Sequence, residues 1–146
     1  MTTDSKVLNS MVNALELTDG AFKTNIDKLF KMGIKIANRS KEFQEEVRLY
    51  GDLLFHLYLK DIDFNIWIHS SNGNLMYNTS FYEPESDKTR TIHFILTKKV
   101  LKKIFTKDLD AAEAYMKGFL EFDGYISDAM IAKNLMKIYF QYLKYF

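Results

Sequence analysis

The side chains able to do acid–base or metal chemistry in this 146-residue chain are three histidines, His56, His69 and His93, and a scatter of carboxylates. Three neutral imidazoles could hold a metal ion. No His-x-His or His-x-x-x-His pair brings two of them together along the chain, and each falls opposite the most apolar side of an alternating run, so they read as surface or edge histidines. Cysteine is absent, which removes thiolate nucleophiles, disulfides, iron–sulfur clusters and cysteine zinc sites at once. No Gly-x-Ser-x-Gly elbow raises a serine for attack, and Ser127 beside Asp128 reads as the start of a helix. The glycine patterns that cradle phosphates, Gly-x-Gly-x-x-Gly and Gly-x-x-x-x-Gly-Lys, are missing. Asp61 and Asp63 flank a tight turn and offer oxygens to calcium, but the loop is far too short for an EF-hand. These residues point to no catalytic site, no metal and no cofactor.

Large apolar side chains are abundant instead. Twelve Phe, nine Tyr and one Trp make 15% of the chain, and seven Met are added to them. Such groups serve either a well-filled core or an apolar cavity with adaptable walls. Their spacing defines the elements that place them. Val7, Leu8, Met11, Val12 and Leu15 form one face of a helix over 4–17, broken at Thr18-Asp19-Gly20. Phe22, Ile26, Leu29, Phe30, Gly33, Ile36 and Ala37, continued by Phe43, Val47 and Tyr50, predict a helix over 21–49. Asn38-Arg39-Ser40 can kink or split it, and Gly51 ends it.

From residue 52 the period becomes two. Leu53, Phe55, Leu57 and Leu59 share one face of a strand, and Phe64, Ile66 and Ile68 one face of the next. Asn72-Gly73 then marks a tight hairpin, because both residues accept positive φ. That turn sets Ser71 against Asn74, Ile68 against Tyr77, Ile66 against Thr79 and Phe64 against Phe81. An exposed loop surrounds Pro84. A fourth strand, 91–96, leads through the cap Thr97 to a helix ending near 106. Asp108-Leu109-Asp110 opens a short helix stopped by Gly118, residues 119–123 read as a fifth strand, and a helix of 126–144 is apolar on more than one face. The fold class is α+β: a five-stranded, mostly antiparallel sheet with helices packed on one face.

Lys plus Arg is 20 and Asp plus Glu is 19, a balance that argues against a nucleic-acid binder. The first residues lack the apolar core of a signal peptide, and no run of 18 apolar residues occurs, so a soluble cytoplasmic protein is expected. Lys98, Lys99, Lys102 and Lys103 share a helix whose solvated face could give weak peripheral contact with an anionic membrane.

The stretch from Ile92 to Ile126 resembles the sterol carrier protein type-two family. The carrying residues are Ile92-His93-Phe94-Ile95-Leu96-Thr97, then Val100-Leu101-Lys102-Lys103-Ile104-Phe105, then Asp110-Ala111-Ala112-Glu113-Ala114-Tyr115-Met116-Lys117-Gly118 and Phe119-Leu120-Glu121-Phe122-Asp123-Gly124-Tyr125-Ile126. Beyond it the order of elements agrees over 21–146, leaving 1–20 as an N-terminal helical extension. The chain lacks the family's peroxisomal ending, and its last helix is unusually aromatic. The resemblance implies non-catalytic binding or carriage of a lipid (fatty acid, fatty acyl-CoA, sterol or isoprenoid) in a tunnel between sheet and helices. The residues expected to line the tunnel are Ile104, Phe105, Tyr115, Phe119, Phe122, Met130, Leu135, Met136 and Tyr139. Its partner would be a lipid or other apolar small molecule, and the chain a monomer or homodimer. The alternative is a protein-interaction, dimerisation or accessory module of the same fold without a lipid.

Overall fold

A computed structural model describes residues 18–80, 82–83 and 89–145, with side chains through Lys137. The expected helix over 4–17 and most of the loop around Pro84 lie outside the described residues. Helix α1, Asp19–Arg39, begins where Thr18 accepts a hydrogen bond from the Ala21 N–H. Its buried stripe of Phe22, Ile26, Leu29, Phe30, Gly33, Ile34, Ile36 and Ala37 follows the three-and-four spacing of one helical face. The helix expected over 21–49 is split in two at Ser40, within the Asn38-Arg39-Ser40 expected to kink or split it. Ser40 adopts extended backbone, which stops α1, and its hydroxyl accepts from the Phe43 N–H at 3.2 Å to start α2, Lys41–Leu49.

Five strands follow, interrupted by two helices: β1 Leu53–Leu59, β2 Phe64–Ser71, β3 Asn74–Asn78 and β4 Arg90–Leu96, then α3 Lys98–Phe105 and α4 Ala111–Met116, then β5 Glu121–Asp123; α5, Ile126–Tyr145, closes the chain. The sheet order is β3-β2-β1-β4-β5. Three pairings are antiparallel, whereas β1 and β4 run parallel, with His56 opposite His93. At the hairpin, Asn72 and Gly73 both have positive φ, 53° and 82°, and Ser71 pairs with Asn74 and Ile68 with Tyr77 as expected. A Cβ on Gly73 would lie 3.0 Å from the Gln44 carbonyl oxygen, so the glycine also lets α2 approach the turn. The ladder ends at Trp67–Asn78. Ile66 therefore does not pair with Thr79, and Phe81 is outside the described residues. Asn78 turns the chain there, its side-chain oxygen accepting from the Ser80 N–H at 2.7 Å.

The fifth strand is shorter than the expected 119–123. After Gly118, at φ +80°, the N–H groups of Phe119 and Leu120 both donate to the Ala114 carbonyl, closing the end of α4. Strand pairing begins only at Glu121.

The buried side chains form two clusters rather than one. Phe22, Ile26, Leu29, Leu59, Ile66, Leu96, Leu101 and Ile104 belong to the first. Ile34, Phe43, Val47, Leu53, Phe55, Leu75, Ile92 and Leu135 belong to the second. Ile68, Tyr77 and Phe94 are packed against both while only partly buried.

Candidate functional site

Between the two clusters lies a cavity of about 270 Å³. Its floor is the inner face of the sheet: Phe55 and Leu57 of β1, Ile68, Leu75, Phe94, Leu96 and Phe122. The period-two alternation of each strand sends these residues to one side. Its roof comes from every described helix, including Phe30 and Ile34 of α1, Phe43 of α2, and Leu101, Ile104 and Phe105 of α3. Four alanines, Ala111 and Ala112 on α4 and Ala129 and Ala132 on α5, face the space. Larger side chains there would fill it, so the void is built by small residues on the two helices that close it.

Of the expected lining residues, Ile104, Phe105, Tyr115, Phe122, Met130, Leu135 and Met136 border the cavity. Phe119 does not; held in the turn after α4, it stands exposed. The side chain of Tyr139 is outside the described residues. Sequence reasoning missed the floor residues other than Phe122, the α1 and α2 contribution, the four alanines and Lys133. The usable signal was the helical stripe Ile126, Ala129, Met130, Lys133, Met136, in which small and flexible residues replace the bulky ones of α1.

The walls are apolar and rich in aromatic side chains. Tyr115 and Phe122 rings lie 4.9 Å apart, and Phe30 meets Phe105 edge-on at 5.4 Å and stacks on Tyr77 at 5.9 Å. Tyr77 donates its hydroxyl to Asp27 at 2.8 Å. Burial, then that bond and the Asp27 charge, push its pKa well above the usual tyrosine range. Lys133 is the one charged residue among the described lining. The cavity opens between α4 and α5, where Tyr115, Ile126 and Met130 line it yet are 48%, 66% and 51% exposed.

The opposite face of the sheet is mixed, with Leu54, Trp67, Met76 and Ile95 among polar side chains. The three histidines are not separate surface or edge residues. The parallel β1–β4 register sets His56 Nδ1 2.8 Å from His93 Nδ1. His56 Nε2 meets Asn65 Oδ1 at 2.7 Å, and the ring stacks on Trp67 at 3.8 Å. With Nε2–H donating to Asn65, the neutral His56 ring accepts at Nδ1 from His93. Burial, with a smaller push from His93, holds the His56 pKa below the ordinary value of 6.5, and the Asn65 bond only partly opposes this. His69 is buried, bonded through Nε2 to Asp52 and through Nδ1 to the Tyr82 hydroxyl at 2.7 Å. Thr89 also donates to Asp52 at 2.9 Å, so Tyr82, through His69, and Thr89 meet at Asp52. Among the described residues no group of three or more His, Cys, Asp or Glu is placed to hold a metal ion, and no described helix is long and apolar enough to cross a membrane.

No protein-family model matches this sequence, and no curated protein matches it. Solved structures do. The UbiJ-SCP2 ubiquinone synthesis protein superposes with a TM-score of 0.60 at 15% identity, over 81% of this chain and 98% of that one. Sterol carrier protein 2 from Yarrowia lipolytica, in its apo form, gives 0.55 at 15% identity, over 75% and 88%. The stereoselective inverting sec-alkylsulfatase Pisa1 from Pseudomonas sp. gives 0.51 at 20% identity over 64% of this chain, which spans only 14% of that enzyme. The mixed five-stranded sheet and its helices match the sterol carrier proteins. The chain has the sterol carrier protein type-two fold.

Proposed function

We propose that this chain binds or carries a lipid, without catalysis, in the cavity between sheet and helices over residues 21–146. The observation that carries the reading is the cavity itself: about 270 Å³ of space inside a small domain, with Lys133 its one charged described wall residue. A smaller engineered void of about 150 Å³ lined by Leu, Ile and Phe stays dry and takes up benzene. Burying about ten methylenes at roughly 0.8 kcal/mol each supplies about 8 kcal/mol, near micromolar affinity before ordering costs. The solved neighbours, a sterol carrier protein and a ubiquinone synthesis protein, support a lipid in general, and the family resemblance implies a fatty acid, fatty acyl-CoA, sterol or isoprenoid as its class. In this reading Ile104, Phe105, Tyr115, Phe122, Met130, Leu135 and Met136 contact the ligand.

Native mass spectrometry of the freshly purified protein, followed by organic extraction, tests the reading. A lipid retained one per chain is expected. A clean apo mass together with no uptake of a fluorescent fatty acid overturns it.

A further inference from the structure

We propose that His56 and His93, on the outer face of the sheet, form a two-histidine site for a divalent transition metal of the copper(II) or nickel(II) kind. Neither histidine borders the cavity, so this site stands apart from the lipid reading. The parallel register sets the two residues opposite each other, and cross-strand partners share a face. Both are half-buried. Their Nδ1 atoms lie 2.8 Å apart, with the rings at 88° to one another. One proton occupies that gap, on His93 Nδ1. A metal ion takes its place when His93 carries its proton on Nε2 instead. Both rings then stay neutral, each offers an Nδ1 lone pair, and no net proton is released.

His56 is oriented as metal-ligating histidines are. Its Nε2–H donates to Asn65 Oδ1 at 2.7 Å, which fixes the tautomer and keeps the lone pair on Nδ1. The stack on Trp67 at 3.8 Å holds the ring. With metal–nitrogen bonds of about 2.0–2.1 Å, the 2.8 Å separation subtends roughly 85–90° at the ion. That is the angle between adjacent ligands of square-planar or tetragonal copper(II) and nickel(II), which take imidazole. Tetrahedral zinc needs about 3.3 Å between the two nitrogens, so the rings would have to part. Among the described residues no third side chain completes the set, so water fills the remaining positions. Asp123 pairs with His93 across β4 and β5, Glu121 shares its face, and both are exposed. These two carboxylates lower the cost of bringing a doubly positive ion to the pair. Lys60 lies past the end of β1, about 13 Å along the strand direction from His56. His69 is excluded, because it is buried with both nitrogens bonded, to Asp52 and Tyr82. An ion held by His56 and His93 clamps β1 to β4 at their parallel pairing.

Titration calorimetry of the full chain with nickel chloride tests the site, and copper(II) supplies a spectroscopic readout. One nickel ion per chain is expected, with a higher melting temperature in its presence. The copper complex should show two nitrogen donors by electron paramagnetic resonance. His93→Gln should weaken uptake more than about a hundredfold, beyond the loss of an orienting partner, and Asn65→Ala about tenfold. His69→Gln should leave uptake unchanged. His56→Gln should behave as His93→Gln does. Where loss of the Trp67 stack unfolds that variant, His93→Gln decides, because it leaves the stack in place. No nickel uptake by the unaltered protein, or uptake that His93→Gln leaves unchanged, overturns the proposal. So does a copper spectrum with a single nitrogen donor, or equal loss in His69→Gln. Fatty-acid uptake is scored separately and decides only the cavity reading.

Discussion

On β1, Phe55 and Leu57 point into the cavity, and His56 between them points to the opposite side of the same sheet. The inner face meets helices whose closest residues are partly alanines, so its contacts are non-directional and leave space. The outer face is closed by named bonds: His93 to His56 to Asn65, and Tyr82 to His69 to Asp52. Apolar walls can accept a guest in place of a missing neighbour. A hydrogen-bonded ring system cannot be repacked without leaving a donor or acceptor unpaired. One sheet thus carries an adaptable surface and a specified one, separated by the thickness of a backbone.

The largest expected effect breaks the inner face where it is filled. Ile66 is fully buried and does not border the cavity, so Ile66→Ala should cost about 2–5 kcal/mol in urea unfolding. A change within error would show that the inner face is loose throughout. Filling the void is the complementary change. Ala132→Phe should leave the melting temperature unchanged or higher, yet weaken fatty-acid binding more than tenfold, equivalent to about two lost methylenes. Retained affinity in titration would move the guest away from α5. Met130→Trp, at the mouth, should weaken acyl-chain binding less while the fold survives, and unchanged affinity would remove Met130 from the wall.

The smallest effect concerns the outer face. The folded pKa of His56 lies below 6.5, so as pH falls through that value the unfolded chain takes up a proton first. Stability is therefore full above the ordinary value and declines toward the lower folded value. Thermal unfolding from neutral pH to about pH 5 should show this decline, and His56→Gln should make it shallower. Equal slopes would assign the effect to another group.

Much of the local structure was legible because it depends on neighbours in sequence. Asn72-Gly73 specified the hairpin and its first register pairs through positive φ. Thr97 and Asp110 started their helices by accepting N–H groups from Val100 and Ala112, and Ser40 marked a break. The order of helical stripes and alternating runs identified the α+β arrangement, and the resemblance in 92–126 agreed with it. Phe119 was misplaced because two N–H groups turning back to Ala114 delay the strand, a competition the alternating pattern does not show.

Residue types, period and turn chemistry thus determined the elements, the apolar face of each, and the absence of a sulfur nucleophile. Tertiary structure decided three things. The parallel pairing of β1 with β4 joined His56 to His93 across 37 residues of chain. The gap between the two core clusters became a cavity. The mouth came to lie between α4 and α5. Each depends on how elements far apart in sequence fit together. A void in particular is a difference between the volume they enclose and the side chains that fill it, and no local pattern contains that difference.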